Sequence, residues 1–518
     1  DPSQPSSIVH PNNPNEWTSV GNTNWNDVLM EDSYPMQQHS ISIAGGSEKL
    51  TYYSSFSYLN QKGIINRDLF DEHYNRFNFL TDLDYKITDW ISVGARVAAN
   101  MSNKRFPAND SWFRSSFPEG YLPFQQNTYA TMPLKDPNGN WSHIGSIHNL
   151  AQMLDEGGHQ TRNITDLWLT GIVKLTPIEG MTVNMDYSYN PMNQRQLHYV
   201  SLLPFYDVAG NVNGYYGGSN PNRVIRQNNN NQYHALNIYA DYNRSFGDNH
   251  NFKILVGYNQ EYQQFLSVYA ERRNLIVNEI PYIDLASGDR YASDGESEYA
   301  IRGVFSRLNY NFNNKYFFEI NTRYDGTSKF PQDDRFALFP SGSIGWRIDQ
   351  EGFFQNLTSG FDLLKLRASY GSLGNQNVAG FYPYVGTLSV GEANYLINGQ
   401  KPVQVTIPQL VSPTLTWETV VQKNFGLDIA ILNSRLSGSF DIYRRDTKDM
   451  LTKGATLPAV LGVGEPNENA ADLKTTGWDL DVTWNDDINQ LSYGVSVTLA
   501  DYKSIITKYD NPRGLISD

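Results

Sequence analysis

The chain of 518 residues contains no cysteine, which removes disulfides, thiolate chemistry and cysteine-ligated metal, and suits export through an oxidising compartment. Charged side chains are sparse at 18%, and the net charge of −14 comes from scattered acids without a basic stripe that could neutralise phosphates. Nucleic acid is therefore excluded as an expected partner. No stretch approaches the roughly 18 consecutive apolar residues that a membrane-spanning helix needs; Leu427 to Leu432 is typical, a run of strand length. If the chain lies in a membrane it must cross as a barrel. Catalytic signatures are missing too. Gly342-Ser343-Ile344-Gly345 and Gly371-Ser372-Leu373-Gly374 miss the Gly-x-Ser-x-Gly spacing, and there is no His-Glu-x-x-His. The histidines (His10, His39, His143, His148 and His159 among them) are spread singly through loops, where solvated histidine is the ordinary case. Asp136-Pro137-Asn138-Gly139-Asn140 lacks the acidic spacing of a Ca²⁺ loop and reads as a β-turn. No enzyme, cofactor or metal site is expected.

What is abundant is Tyr (34), Phe (25), Gly (40) and Asn, a mixture that favours strands joined by turns. In 478–485 every even position is apolar and every odd one polar, which puts Trp478, Leu480, Val482 and Trp484 on one face and Asp479 and Asp481 on the other. Met181, Val183, Met185, Tyr187 and Tyr189 alternate likewise with Thr182, Asn184, Asp186, Ser188 and Asn190, as do Leu436, Gly438, Phe440 and Ile442 with Ser437, Ser439 and Asp441. A strand of about ten alternating residues faces lipid on one side and a wet lumen on the other. The pattern predicts about sixteen strands, near 38–45, 50–59, 74–87, 90–102, 165–176, 180–190, 232–246, 250–264, 298–313, 315–325, 335–348, 362–372, 422–432, 434–445, 477–486 and 490–500.

Short links such as Thr88-Asp89, Asn313-Asn314 and Asn433 alternate with long ones at 103–164, 191–231, 265–297, 373–421 and 446–476. Short periplasmic turns and long extracellular loops produce this asymmetry, whereas a soluble sandwich or propeller has no reason for it. Aromatic residues gather at expected strand ends (Trp90, Trp168, Tyr242, Tyr310, Tyr316 to Phe318, Trp346 and Trp484), where a membrane interface would want them. The expected fold is all-β, an antiparallel transmembrane β-barrel. The chain opens at Asp1 in a Pro/Ser/Asn-rich stretch that reads as mid-loop, so both ends are expected to be internal to a longer protein.

Several stretches resemble the SusC/RagA family of TonB-dependent transporters, in that family's order. They are Gln37 to Lys49 with Tyr58-Leu59-Asn60-Gln61-Lys62-Gly63-Ile64; Arg323-Tyr324-Asp325-Gly326-Thr327-Ser328-Lys329-Phe330 with Arg335 to Ser341 and Gly345-Trp346-Arg347; Leu364 to Gly371 with Gly374-Asn375-Gln376; Leu415-Thr416-Trp417-Glu418-Thr419; Asp441-Ile442-Tyr443; and Thr476 to Leu480. The resemblance implies that residues 1–518 are part of one barrel of ~22 strands with a plugged lumen, and that the plug, the TonB box and the last strands lie outside this sequence. It also implies import of an oligomeric nutrient, glycan or peptide, across the outer membrane, driven through TonB and assisted by a SusD-like surface lipoprotein. The alternatives are a siderophore or cobalamin receptor of related fold and a passive porin; a surface enzyme or adhesin has no supporting constellation. The motifs themselves mark strand ends and hairpin corners and assign no site. Loop aromatics supply the candidates for contact with substrate or lid: Trp112, Phe113, Tyr121, Trp141, Tyr215, Tyr216 and Tyr382. Packing of loop against loop is the competing role for each.

Overall fold

A computed structural model describes residues 5–108, 129–145, 149–247, 249–357, 360–378 and 380–509. Sixteen strands form one antiparallel sheet in which every strand pairs with its sequence neighbours. They are β1 (Met36–Gly46), β2 (Leu50–Lys62), β3 (His73–Lys86), β4 (Ile91–Pro107), β5 (Gly158–Leu175), β6 (Met181–Val200), β7 (Arg223–Phe246) and β8 (His250–Arg273), then β9 (Arg290–Phe312), β10 (Tyr316–Thr327), β11 (Phe336–Arg347), β12 (Phe361–Asn375), β13 (Glu418–Ile431), β14 (Leu436–Lys453), β15 (Asn467–Ile488) and β16 (Leu491–Lys508). Each sequence-predicted strand is found. No described helix is long and apolar enough to cross a membrane.

Register shows why the alternation is so clean. Phe440 pairs with Leu480 and Leu427, and Leu427 pairs with Leu366, so one apolar face runs unbroken across β12 to β15. The same parity gathers Val183 and Met185 with Ala240 and Ile238, while Asn184 and Asp186 share the opposite face with Tyr239 and Asn237. The apolar side chains stay exposed, Phe440 at 41% and Ile442 at 48%, because their solvent is hydrocarbon. The wall carries two aromatic rows. Toward the short links, Phe252 stacks on Tyr310 with centroids 4.5 Å apart, and Phe312 lies 6.2 Å from Tyr316. Toward the long links, His234 stacks on Tyr189 at 4.7 Å and approaches Tyr262 at 6.2 Å. From Phe252 to Tyr262 along β8, ~10 residues at ~3.4 Å and a tilt of ~40° cover ~25 Å, the height of an outer-membrane apolar band.

The sequence reading is corrected at three points. The strands run beyond their predicted ends on the long-link rim, so the links shrink to 108–157, 201–222, 274–289, 376–417 and 454–466. Above the upper aromatic row both faces are wet, and segments such as Gln227-Asn228-Asn229-Asn230-Asn231-Gln232 lose the apolar beat while keeping their ladder. Link length does not alternate strictly either: 348–360, with a 3-10 turn and the helix Gly352–Leu357, sits on the short-link rim. Lastly, Trp168 and Phe317 are no interface residues. Trp168 pairs with Ala98 and its ring lies 5.8 Å from that of Tyr233 on the inner face, and Phe317 pairs with Gly345 and its ring lies 5.0 Å from the Lys365 ammonium on that same face.

Where the rim turns tightly, the chemistry is local. Asn313 and Asn314 both adopt positive φ (53° and 54°), and Lys315 N–H donates to the Phe312 carbonyl at 2.9 Å, which turns the chain within the three residues between paired Phe312 and Tyr316. Residues 5–35 lead into the long-link end of β1 and join that rim. By the rule for outer-membrane barrels, the long-link rim is extracellular and the short-link rim periplasmic.

Candidate functional site

Two inward-facing regions hold the polar chemistry, the lumen wall and the mouth above it. On the wall, Arg367 of β12 reaches across β13. Its Nη1 and Nη2 donate to the two carboxylate oxygens of Asp441 at 2.7 and 2.6 Å, and its Nε donates to Asp428 at 3.0 Å. Asn424 adds a bond from Nδ2 to Asp441 at 2.7 Å. Gly426 lies beneath the guanidinium, and a Cβ there would stand 2.5 Å from Arg367 Cζ. Glycine is therefore the residue that lets one side chain bind carboxylates on two strands. Arg323 with Asp325, at 2.9 Å, and Arg96 with Asp82 repeat the pairing elsewhere on the wall. Between β6 and β8, Asn259 donates to Asn237 at 2.6 Å and Asn237 donates to Asp186 at 2.7 Å. Such a surface is polar, and its arginines are outnumbered by the carboxylates they bind. Among the described residues no cluster suits a metal ion.

The mouth is built around a small core of its own. Trp25 and Leu29 of the short helix α1 (Trp25–Leu29) pack with Ile65, Phe70, Met132, Leu203 and the helix α2 (Leu150–Asp155). Asn149, fully buried, fixes this core. Its Oδ1 caps α2 by accepting from Ala151 and Gln152, while its Nδ2 donates to the carbonyls of Leu134 at 3.0 Å and Ser142 at 3.1 Å. Asp136 to Asn140 closes as the expected turn, with Gly139 N–H on Asp136 O at 3.0 Å.

The candidate aromatics divide. Trp141 and Tyr216 come together in the mouth's core. Trp141 donates from Nε1 to Glu156 at 2.8 Å beneath the Lys135 ammonium, and burial pushes the Tyr216 phenol up to about 12. Tyr215 and Tyr382 stand exposed at 41% and 43%, on different sectors of the rim. Tyr382 belongs to a segment docked at both sides: Phe381 lies 5.2 Å from Tyr299, and Tyr384 donates to the carbonyl of Ser328 at 3.3 Å. Trp112, Phe113 and Tyr121 lie outside the described residues.

His39 is exposed as expected, though on β1, and His148 lies outside the described residues, while other histidines are less solvated than expected. His143 is held between the carbonyls of Gly145 and Tyr206, and His159 packs edge-on against Tyr199. His198, above the membrane band on β6, is buried; burial first and the Arg223 guanidinium second push it down to about 4. The motifs that hold Arg367 and Asp441 carry no mark in the sequence that assigns the two side chains to each other. Their inward parity was the available signal, while the two-strand reach depends on register.

The family model for the TonB dependent receptor-like β-barrel matches residues 108–515. The chain belongs to that family. It is an outer-membrane barrel, and this receptor barrel is 26% identical over 477 residues to TonB-dependent receptor P26 of Formosa agariphila, covering 90% of the chain and 45% of that protein. To TonB-dependent receptor SusC of Bacteroides thetaiotaomicron it is 26% identical over 537 residues, covering 92% and 49%. The solved RagAB peptide transporter superposes with a TM-score of 0.77 at 22% identity, over 97% of the receptor barrel and 54% of that chain. The SusC/RagA resemblance read from the motifs thus agrees with both comparisons. The receptor barrel spans about half the length of these relatives.

Proposed function

We propose that this chain forms most of the conduit of a TonB-dependent importer for an oligomeric nutrient, glycan or peptide. The observation that carries the proposal is the combination of an apolar exterior with an ion-paired, amide-rich interior beneath a packed mouth, on a chain similar to SusC and to the RagAB peptide transporter. A plug outside this sequence gates the lumen in this reading, and TonB supplies the work. A SusD-like lipoprotein caps the mouth, and Tyr215 and Tyr382, with Trp112, Phe113 and Tyr121, supply rings for substrate or lid, while Trp141 and Tyr216 hold the mouth in shape. Catalysis has no part in it.

The test is whole-cell uptake by the full-length protein, offered labelled oligosaccharides, labelled peptides and a ferric siderophore, with and without TonB. TonB-dependent uptake of an oligosaccharide or peptide supports the reading. Uptake of the siderophore alone, or uptake independent of TonB, refutes it. Copurification in mild detergent, with deletion of the adjacent lipoprotein gene, tests the cap separately.

A further inference from the structure

We infer that the outer face of this barrel carries a binding site for the phosphate of an outer-leaflet glycolipid, centred on Arg302. The inference rests on the outer-membrane barrel assignment and not on the nature of the imported nutrient.

Arg302 lies on β9 and pairs with Gln260 of β8 and Gly326 of β10. Its parity is that of Val304, exposed at 51% on the apolar face, so the arginine projects outward, toward lipid. Gln260 lies on β8 between Tyr258 and Tyr262, and Tyr262 belongs to the upper aromatic row, so Arg302 is at the depth where extracellular headgroups begin. An arginine at that depth on a lipid-facing wall needs an anionic or wet partner.

A recess beside it supplies donors, and the carboxylate of Glu298, four residues along β9 on the same face, accepts the Tyr262 hydroxyl at 2.5 Å. This recess of about 300 Å³ is lined by Gln260, Arg302, Thr327, Ser328, Arg335 and Phe336, with no carboxylate in its wall. Gln260 accepts the Tyr258 hydroxyl on its Oε1 at 2.6 Å, which leaves its amide N–H groups to donate. Ser328 Oγ accepts the backbone N–H of Ala300 at 2.9 Å, which leaves its hydroxyl proton to donate. Arg335 is positioned by bonds to the Phe330 carbonyl at 3.0 Å and the Tyr384 hydroxyl at 3.4 Å. The Arg302 guanidinium is held 5.1 Å from the centre of the Phe336 ring, and no carboxylate is paired with it among the described residues. A cluster of donors lacking a negative charge selects an anion, and arginine's fork fits phosphate in particular. The volume is at the small end of ligand sites, suited to a phosphorylated sugar whose acyl chains run down the apolar face beside Val304 and Tyr324. A phosphate-bearing glycolipid meets both demands at once.

The test uses the full-length receptor, delipidated in mild detergent, with lipid A and its dephosphorylated form as probes and native mass spectrometry as readout. The unaltered protein is expected to prefer lipid A roughly tenfold or more, the effect of one charge-assisted pair, and Arg302→Gln to erase the preference. Arg226→Gln removes an outward arginine higher on the wall, from β7, and is expected to leave the preference intact. Heat-modifiable migration on gels verifies that each variant is folded. Equal binding of both probes, an unchanged preference in Arg302→Gln, or an equal loss in Arg226→Gln overturns the inference. Displacement of bound lipid A by millimolar inorganic phosphate also overturns it, by showing a site for the free anion.

Discussion

Replacing Arg367 with methionine removes the link that ties β12 to β13 and β14 on the inner wall. The variant loses two bonds to Asp441 and one or more to Asp428, and leaves both carboxylates facing each other without their cation. Breaking a fully buried ion pair by removing one partner costs about 3–5 kcal/mol. Here the side chains are 32%, 24% and 15% exposed for Arg367, Asp428 and Asp441, so lumen water screens part of the loss. The Asn424 bond to Asp441 also survives. A cost of about 2 kcal/mol is expected, roughly half of it recovered by a second change, Asp441→Asn, that relieves the carboxylate repulsion. The assay is urea unfolding of the full-length protein in detergent micelles, followed by heat-modifiable mobility and tryptophan fluorescence. A loss below about 0.5 kcal/mol, or an equal loss from Asp481→Asn, whose carboxylate accepts from the Thr483 and Thr498 hydroxyls and pairs with no cation among the described residues, would refute the reasoning.

Leu480→Arg, on the apolar face, should cost about 2–4 kcal/mol in the same assay while Asp481→Arg, one residue away on the lumen face, costs far less; equal effects would contradict the assignment of faces. Protease added to intact cells should cut only within 5–35, 63–72, 108–157, 201–222, 274–289, 328–335, 376–417 or 454–466, unless a partner covers them, and cleavage near Thr88 or Asn433 would invert the topology. His198 is held neutral in the folded mouth, so the unfolded chain binds its proton first as pH falls; stability is full above about 6.5 and declines toward about 4, by at most about 3 kcal/mol. Limited proteolysis of the mouth across that range should show the decline, and His198→Gln should flatten it. Asn149→Ala should loosen the mouth by about 1–2 kcal/mol through loss of the α2 cap, read as faster proteolysis within 129–157 with unchanged barrel unfolding.

The membrane made the wall legible. Lipid on one side and water on the other force a two-residue beat, so Leu480 against Asp481 could be assigned to faces from the sequence, and all sixteen strands follow from it. That beat stops where lipid stops, which is why the upper halves of β6 to β9 and β14 to β15 read as loop. Nothing local announces the mouth. Asn149 finds Leu134 and Ser142, Trp25 donates to the carbonyl of Tyr129, and these partners are chosen by packing between distant segments. The same holds for Trp168, an indole that composition assigns to an interface and register turns inward to Tyr233. Arg302, Gln260 and Ser328 lie on or beside three strands and become neighbours only once those strands are aligned.

Strands β7 and β8 are each 24 residues long. At ~3.4 Å per residue and a tilt of ~40°, such a hairpin rises ~60 Å, more than twice the apolar band. The excess stands above the bilayer as a raised stretch of wall. In the import reading proposed above, a nutrient meets this wall tens of ångströms before it reaches membrane depth. Amide side chains such as those of 227–232 then delay its departure at each brief contact, so capture begins well outside the membrane.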